Sequence, residues 1–276
     1  MVDATAEQPP PPVPTDVPWA WVLAAGALAG FASGLFGVGG GIVIVPVLTL
    51  LARFPHKLAT GTSLTAIVPR SAAALVGYAT EGELDLTAAA LLTAGSLAGA
   101  VAGTRWLRTL SGPTVQWIFA ALMFVTAVQL ALGDDGEGAG RGQLTVAAVV
   151  ALIALGFATG ALAGLLGVGG GIILVPALTL LFGLPLVVAK GSALAVILPT
   201  SVLGTLRNRS AGLTALRPAA VVGAGGVLSA FLASKLALGL DPRLSTLLFA
   251  GLLGVVALRL ALSARSEAAA RSPGEP

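Results

Sequence analysis

A stretch of fifteen residues occurs twice in this chain, 130 positions apart. Residues 37–51 read GVGGGIVIVPVLTLL, and residues 167–181 read GVGGGIILVPALTLL, so only three positions differ. A near-copy of this length within one chain indicates that the sequence was duplicated. Each copy joins a flexible glycine run to about eleven mostly apolar residues. The run leaves backbone amides free, and the helix that follows directs its N-terminus at whatever lies beside the glycines.

The same spacing relates the sequence on both sides of this stretch without a gap. Pairs of turn and span residues 130 positions apart are Pro55 and Pro185, Gly61 and Gly191, Pro69 and Pro199, Gly82 and Gly212, and Phe119 and Phe249. The sequence therefore predicts two homologous repeats, at 18–132 and 143–262. A polar linker, 133–142, joins the repeats, and disordered tails are predicted at 1–17, which is rich in proline, and at 263–276.

Composition places the repeats in a membrane. The chain is 56% hydrophobic and only 10% charged, whereas soluble proteins carry roughly 25% charged residues. The apolar runs are far longer than barrel strands, so we expect an all-α integral membrane protein. The net charge of +3 comes from basic residues scattered between apolar runs, which is typical of topology determinants rather than of a nucleic-acid surface. With no cysteine and one histidine, we expect no metal site and no cofactor.

The second segment of each repeat is too short to be an ordinary span. Eleven helical residues rise about 16 Å, and five extended residues add about 16 Å, so the two together just cross a hydrocarbon core of about 30 Å. Such irregular backbone persists in a membrane only where protein or water covers it. We therefore predict a glycine-broken half-helix in each repeat, with about eight to ten membrane segments in total.

Basic residues in the loops favour five crossings per repeat. Five crossings put nine basic residues inside and four outside, whereas four crossings put seven inside and six outside. The positive-inside rule prefers the first arrangement. Lys190 falls in an outside loop on this count. An odd number of crossings inverts the second repeat relative to the first.

Two inverted repeats with glycine-broken segments are typical of secondary transporters, whose site lies at the repeat interface. Half-helix N-termini and bare amides offer positive potential without a full charge, which suits an anion that binds and then leaves. The binding residues predicted from the two runs are Gly37, Gly39, Gly40, Gly41, Gly167, Gly169, Gly170 and Gly171.

A turn is predicted at the start of the third segment in each repeat, at 59–63 and at 189–193. These two turns supply further candidate binding residues, which are Gly61, Thr62, Ser63, Gly191 and Ser192. These hydroxyls can bind a ligand or act only as helix N-caps.

Arg70 follows Pro69 about ten residues into the third segment, and its counterpart in the second repeat is Thr200. A cation at mid-bilayer depth costs roughly 2.5–3.5 kcal/mol on insertion scales, so Arg70 and Thr200 are predicted as asymmetric halves of one site. The alternative role for Arg70 is a structural partner for a helix C-terminus or a loop carboxylate. No acidic residue lies in a predicted span, so any coupled proton is carried by another group, and the substrate itself is one candidate.

The doubled GVGGG with its VPxL continuation resembles the TauE/SafE family of sulfite exporters, also called toluene-sulfonate uptake permeases. The similarity covers about residues 20–262 and includes the Gly-[Thr/Ser] turns at 61–62 and 191–192. It implies a multi-pass permease of the bacterial cytoplasmic membrane for sulfite, sulfonates or other small organic anions. The glycine runs, with Pro46 and Pro176, and the two turns carry over. Arg70 departs from the family pattern, so its role is not borrowed from it.

An enzyme is not expected, because no βαβ context surrounds the Gly-x-Gly and no acid follows about twenty residues later. An anion channel, or a membrane protein without transport activity, stays open as the alternative. The expected partners are a small anion, the lipid bilayer and, if transport is coupled, protons, with no nucleic acid. A homo-oligomeric state is left open.

Overall fold

The computed structural model describes residues 19–103, 112–133, 142, 144–167 and 169–271. In this part of the chain there are ten α-helices and no strand, which confirms the all-helical prediction. The helices are α1 (Trp19–Phe36), α2 (Gly41–Leu50), α3 (His56–Ala79), α4 (Leu86–Ala98, continued by a π-helical turn at Gly99–Gly103), α5 (Gly112–Leu132), α6 (Val146–Leu166), α7 (Gly171–Phe182), α8 (Leu186–Ser210), α9 (Leu216–Gly239) and α10 (Pro242–Arg271). The predicted N-terminal tail and most of the linker lie outside the described residues, whereas α10 continues past the predicted end of the second repeat.

The helices repeat with the same spacing as the sequence. The pairs α2 and α7, α3 and α8, α4 and α9, and α5 and α10 each begin 130 residues apart, as in 171 − 41 = 130. Proline precedes α3 and α8 at their N-cap positions, Pro55 and Pro185, and proline fixes the backbone angle that an entering chain needs.

Five helices are long and apolar enough to cross a bilayer: α1, the Val146–Gly164 part of α6, α8, α9 and the Pro242–Arg259 part of α10. The half-helices α2 and α7 are also apolar but have only 10 and 12 residues. Large apolar side chains point outward, and Leu28, Leu228 and Val255 are each more than half exposed. An apolar exterior of this kind fits contact with acyl chains. The protein is therefore an integral membrane protein with several spans.

Helices α1, α3 and α9 form a parallel group, held together where glycines let backbones touch. A Cβ atom added to Gly26 or Gly34 of α1 would lie 2.5 or 2.1 Å from the carbonyl oxygen of Val222 or Ala230 of α9. Because the contacts advance along both helices together, α1 and α9 run in the same direction. Tyr78, at the end of α3, donates a 2.7 Å hydrogen bond to the carbonyl oxygen of Gly34 at the end of α1.

Helices α6, α8 and α4 form a second group, in which they take the places of α1, α3 and α9. A Cβ atom on Gly156 or Gly160 of α6 would lie 2.2 or 2.0 Å from the carbonyl oxygen of Leu92 or Ser96 of α4. These contacts also advance together, so α4 and α6 are parallel. Each group thus takes two helices from one repeat and one from the other.

The two groups meet along α3 and α8, which run in opposite directions. Gly204, near the end of α8, packs against the side chain of Leu64, near the start of α3, and Gly191, near the start of α8, packs against the Cβ atom of Tyr78 at the end of α3. Residues toward the end of α3 thus contact residues toward the start of α8. These two helices, which are equivalent in the duplication, are therefore antiparallel.

Helices α5 and α10 form an outer antiparallel pair. At one end Arg243 donates to the carbonyl oxygens of Ala131 and Gly133, at 2.9 and 2.6 Å. At the other end the Arg265 guanidinium lies 5.8 Å from the centre of the Trp117 ring. The pair packs beside the second group, where Phe249 of α10 is fully buried.

Candidate functional site

Each glycine run is an irregular link between a span and a half-helix. Positive φ angles occur in the first run at Gly37 (71°), Gly39 (76°) and Gly40 (72°), and in the second at 67°, 84° and 76° for the three equivalent glycines, Gly167, Gly169 and Gly170. Residues other than glycine rarely adopt this left-handed conformation. The backbone path therefore requires glycine at these positions.

The two runs meet between the repeats. A Cβ atom on Gly39 or on Gly169 would contact the same two side chains, Ile67 of α3 and Ile197 of α8. A Cβ atom on Gly171 would lie 2.7 Å from the carbonyl oxygen of Gly37. The runs thus face each other across the antiparallel α3–α8 contact and are surrounded by protein.

The half-helices α2 and α7 both begin at this meeting point. Their N-cap residues, Gly40 and Gly170, have left-handed backbones and provide no side-chain cap. The first four N–H groups of an α-helix have no partner within the helix, and the N-terminus carries about half a positive charge. Gly40 packs against the carbonyl oxygen of Ala29, midway along α1, so the start of α2 lies deep within the bundle.

Arg70 of α3 lies beside the start of α2. Its side chain is fully buried, and its Nε atom donates a 2.8 Å hydrogen bond to the carbonyl oxygen of Ala66. Its Nη1 atom is 3.0 Å from the place that a Cβ atom on Gly40 would occupy. Neither Nη1 nor Nη2 has a hydrogen-bond partner among the described residues. A buried guanidinium whose two terminal nitrogens have no partner among the described residues, next to an uncapped helix N-terminus, makes a strongly electropositive site.

The second repeat has a neutral arrangement at the same place. Thr200 replaces Arg70, and its Oγ1 atom donates to the carbonyl oxygen of Val196, at 2.7 Å, and lies 2.7 Å from the Oγ atom of Ser96. The residue equivalent to Ser96 is Gly226, which is in contact with the Arg70 side chain: a Cβ atom there would lie 2.2 Å from Arg70 Cδ. The large side chain of one repeat thus faces a glycine, and the small side chain of the other faces a serine.

The predicted turns at 59–63 and 189–193 lie inside helices, since α3 and α8 begin four residues earlier than the predicted segments. Their hydroxyls are not N-caps of their own helices. Thr62 Oγ1 accepts a 3.0 Å hydrogen bond from the backbone N–H of Ala215, before α9. Ser192 Oγ accepts a 2.8 Å bond from the N–H of Asp85, before α4.

The glycines of these two segments make matching contacts. Gly61 packs against the carbonyl oxygen of Leu213, and Gly191 packs against that of Glu83. Thr62, Ser192 and these glycines therefore join the repeats to each other. Ser63 is closer to the centre, because its Oγ atom donates a 2.9 Å hydrogen bond to the carbonyl oxygen of Gly167, in the second run.

The count of basic residues in the loops predicts that Lys190 lies in an outside loop, and this prediction is wrong. It lies in the second turn of α8 and is fully buried. Its backbone packs against the first run, since a Cβ atom on Gly37 would lie 2.7 Å from Lys190 Cα. The equivalent contact in the other repeat joins Gly167 to Thr60. The 130-residue spacing could have indicated this position, because Thr60 belongs to a predicted span.

Comparison with known proteins assigns both repeats to one family. The family model described as "Sulfite exporter TauE/SafE" matches residues 3–130 and 152–276. The chain belongs to the TauE/SafE family. A relative from Xylella fastidiosa (strain 9a5c), named "Probable membrane transporter protein", is 30% identical over 175 residues, which cover 62% of this chain and 67% of the relative.

Two other TauE/SafE-like relatives have similar names. "Probable membrane transporter protein YunE" of Bacillus subtilis (strain 168) is 28% identical over 209 residues, or 68% of this chain and 77% of the relative. "Probable membrane transporter protein MJ0441" of Methanocaldococcus jannaschii is 47% identical over 55 residues, 20% of each chain. No solved structure matches the chain. The chain is thus a membrane transporter rather than an enzyme, and a multi-pass protein of the cell membrane.

Proposed function

We propose that this TauE/SafE protein carries a small organic or sulfur oxyanion, such as sulfite or a sulfonate, by alternating access around the two glycine runs. The observation that supports this most strongly is Arg70, which is fully buried and whose two terminal nitrogens have no partner among the described residues. An unpaired buried charge is strongly unfavourable, by several kcal/mol. An oxyanion at this place would accept hydrogen bonds from both nitrogens and from the first amides of α2.

The repeats are proposed to be inverted in the membrane, which gives a carrier two related conformations that open to opposite sides. The antiparallel arrangement of α3 and α8 supports this proposal, because those helices are equivalent in the duplication. The glycine runs are the moving contact in the proposal. Small rotations of one helix group against the other would separate the runs at one end of the bundle and close them at the other.

The test is transport by Arg70→Ala in proteoliposomes. Loss of a hydrogen bond to a charged group costs about 1.5–3 kcal/mol, so the concentration for half-maximal flux should rise about 10- to 100-fold. The assay would compare sulfite, a small sulfonate and a small carboxylate, in both uptake and efflux. If Arg70→Ala transports all three like the wild type, Arg70 is not the anion-binding group.

Arg217→Ala is a matched control, because Arg217 is an exposed arginine that lies over the Trp19 ring at the surface of the bundle. It should leave the half-saturating concentration unchanged. Recording currents in planar bilayers separates a carrier from an anion channel, since a channel would show conductance far above the turnover of a carrier. Single-channel currents would overturn alternating access while leaving anion binding intact.

A further inference from the structure

A second buried cation lies beside the first glycine run, and the anion site described above does not use it. The Lys190 side chain is fully buried in α8. Its Nζ atom donates a 2.7 Å hydrogen bond to Ser245 Oγ of α10 and lies 5.9 Å from the centre of the Phe249 ring. The equivalent residue in the first repeat is Thr60, so only one repeat carries this amine.

The partner of Lys190 suits a group that gains and loses a proton. A serine hydroxyl can accept a hydrogen bond from an ammonium and can donate one to a neutral amine. The Lys190–Ser245 contact is therefore satisfied in both protonation states by rotation of one hydroxyl. Arg70 differs, because a guanidinium is not deprotonated in proteins. The two buried cations thus divide into one fixed charge and one charge that can change.

No carboxylate contacts Lys190 among the described residues, so nothing there fixes its charge. Among the described residues, the helices packed against α8 carry one other buried cation, Arg70 of α3. The remaining titratable or charged groups near this part of α8 lie at the end of α3, in the α3–α4 turn, near the end of α9, or at the start of α10. Among the described residues they are Tyr78, Glu81, Glu83, Asp85, Lys235, Asp241 and Arg243. Apart from buried Tyr78, these groups lie in turns or near helix ends, close to one end of the bundle.

Lys190 is also in contact with the part of the molecule that is proposed to move. Its backbone packs on Gly37, at the start of the first run. Phe36, the preceding residue, has its ring 6.1 Å from the ring of Phe249, which in turn lies under the amine. The amine is therefore linked through the Phe249 ring of α10 to Phe36 at the end of α1, and through its own backbone to the first run.

We propose that Lys190 is the proton-binding residue that couples anion transport to a proton gradient. This rests on the function proposed above. The neutral amine binds a proton with its lone pair and becomes an ammonium while the site holds the anion. The ammonium releases the same proton on the other side of the membrane, and the neutral amine is restored. The anion and the proton then cross together. The loaded carrier therefore moves less net charge across the membrane than a carrier of the anion alone.

The experiment uses the full chain in proteoliposomes and two assays. Exchange of labelled anion for unlabelled anion at equal pH reports binding and alternating access without net proton movement. Accumulation of anion driven by an imposed pH gradient reports coupling. Lys190→Thr installs the residue of the first repeat, and Lys190→Arg keeps a permanent charge. Both variants should exchange anion at rates within about threefold of the wild type but lose gradient-driven accumulation.

Lys235→Thr is the matched control, because Lys235 is a partly exposed lysine paired with Glu81 at 2.5 Å. It should keep both activities. A second measurement, proton uptake by the carrier when anion is added, should fall from about one per carrier to none in Lys190→Arg. If Lys190→Thr fails to fold, Lys190→Arg and Ser245→Ala carry the test, and Ser245→Ala should shift the pH at which accumulation is half-maximal.

The outcomes separate this proposal from the one on which it rests. Absence of any anion exchange by the wild type would overturn the proposed function. Exchange without a response to a pH gradient in the wild type would overturn the proton role alone. Unchanged gradient-driven accumulation in both Lys190 variants would also overturn it, while anion transport would stand.

Discussion

Arg70 and Thr200 differ in size, and the structure compensates for the difference on the neighbouring helix. Arg70 faces Gly226 of α9, and Thr200 faces Ser96 of α4. The absence of a side chain at 226 makes room for the aliphatic part of Arg70 and directs its guanidinium toward Gly40. We therefore propose that Gly226 positions Arg70 in the charged half of the proposed site, although it has no polar side chain of its own.

We expect Gly226→Ala to impair transport through the placement of Arg70. An added Cβ atom would lie 2.2 Å from Arg70 Cδ and 2.5 Å from the carbonyl oxygen of Gly26, and overpacking of this kind costs about 1–3 kcal/mol. Gly30→Ala is the comparison, because the three atoms nearest to its Cβ atom would belong to Gly226 and Ser229 of α9 rather than to Arg70. Both variants should melt at a lower temperature, but only Gly226→Ala should raise the half-saturating anion concentration. Equal half-saturation in the two variants would contradict this.

The sequence indicated that Arg70 is buried but not that Lys190 is, and the reason is physical. Arg70 lies far inside a long apolar run, so its depth could be read from the chain alone. Lys190 lies near the end of a run, where a basic residue is ordinary. Its burial depends on α10 and on the first glycine run, and no local pattern encodes those contacts. Likewise, the hydroxyls of Thr62 and Ser192 were predicted at the right spacing, but their partners lie in the other repeat.

The half-helices are the elements that determine where the proposed site lies. Sequence arithmetic predicted a short apolar helix after each glycine run, and the structure places α2 and α7 there with 10 and 12 residues. That prediction succeeds because helix rise and bilayer thickness are fixed lengths. The meeting of the two runs at Ile67 and Ile197 could not be predicted, since it follows from how α3 and α8 pack.

We expect Gly39→Leu and Gly169→Leu to abolish anion flux while the protein still inserts into the membrane. Each position has a positive φ angle, of 76° or 84°, and the left-handed conformation costs other residues about 1–2 kcal/mol. A Cβ atom at either would also press on Ile67 and Ile197, at 3.2–3.9 Å. The measurement is flux per inserted protein. Normal flux in both variants would exclude the runs as the site.

Gly82→Leu is the control that separates the effect of backbone strain from the effect of a side chain that fills the space between the glycine runs. Gly82 has the same φ angle as Gly39, 76°, but it lies in the α3–α4 turn, where a Cβ atom would meet nothing within 4 Å. This variant should keep most of its flux. If it lost flux as fully as Gly39→Leu, backbone strain alone would explain both results.

At the scale of the whole molecule, the duplication predicted the 130-residue spacing between the starts of equivalent helices, which four helix pairs have. The charge bias of the loops predicted inversion. It could not show that the repeats exchange helices, so that α9 joins α1 and α3 while α4 joins α6 and α8. That exchange depends on small residues, such as Gly26 and Gly156, whose partners are far away in the sequence.

Inversion can be measured by labelling single cysteines, since the chain has none of its own. Thr80 and Ser210 are equivalent, exposed residues after α3 and at the end of α8. In intact cells, a membrane-impermeant thiol reagent should label Thr80→Cys from outside. Ser210→Cys should react only after the cells are opened. Labelling of both from the same side would show that the repeats have the same orientation.

The exchange of helices between repeats has a consequence for synthesis. When the ribosome has inserted the first five helices, the glycine face of α1 still lacks α9, and the N–H of Asp85 still lacks the hydroxyl of Ser192. We therefore expect the first five helices to remain in the bilayer with the glycine face of α1 exposed to lipid until α9 is inserted. Neither half completes a bundle by itself, so folding finishes only after the last helices have left the translocon.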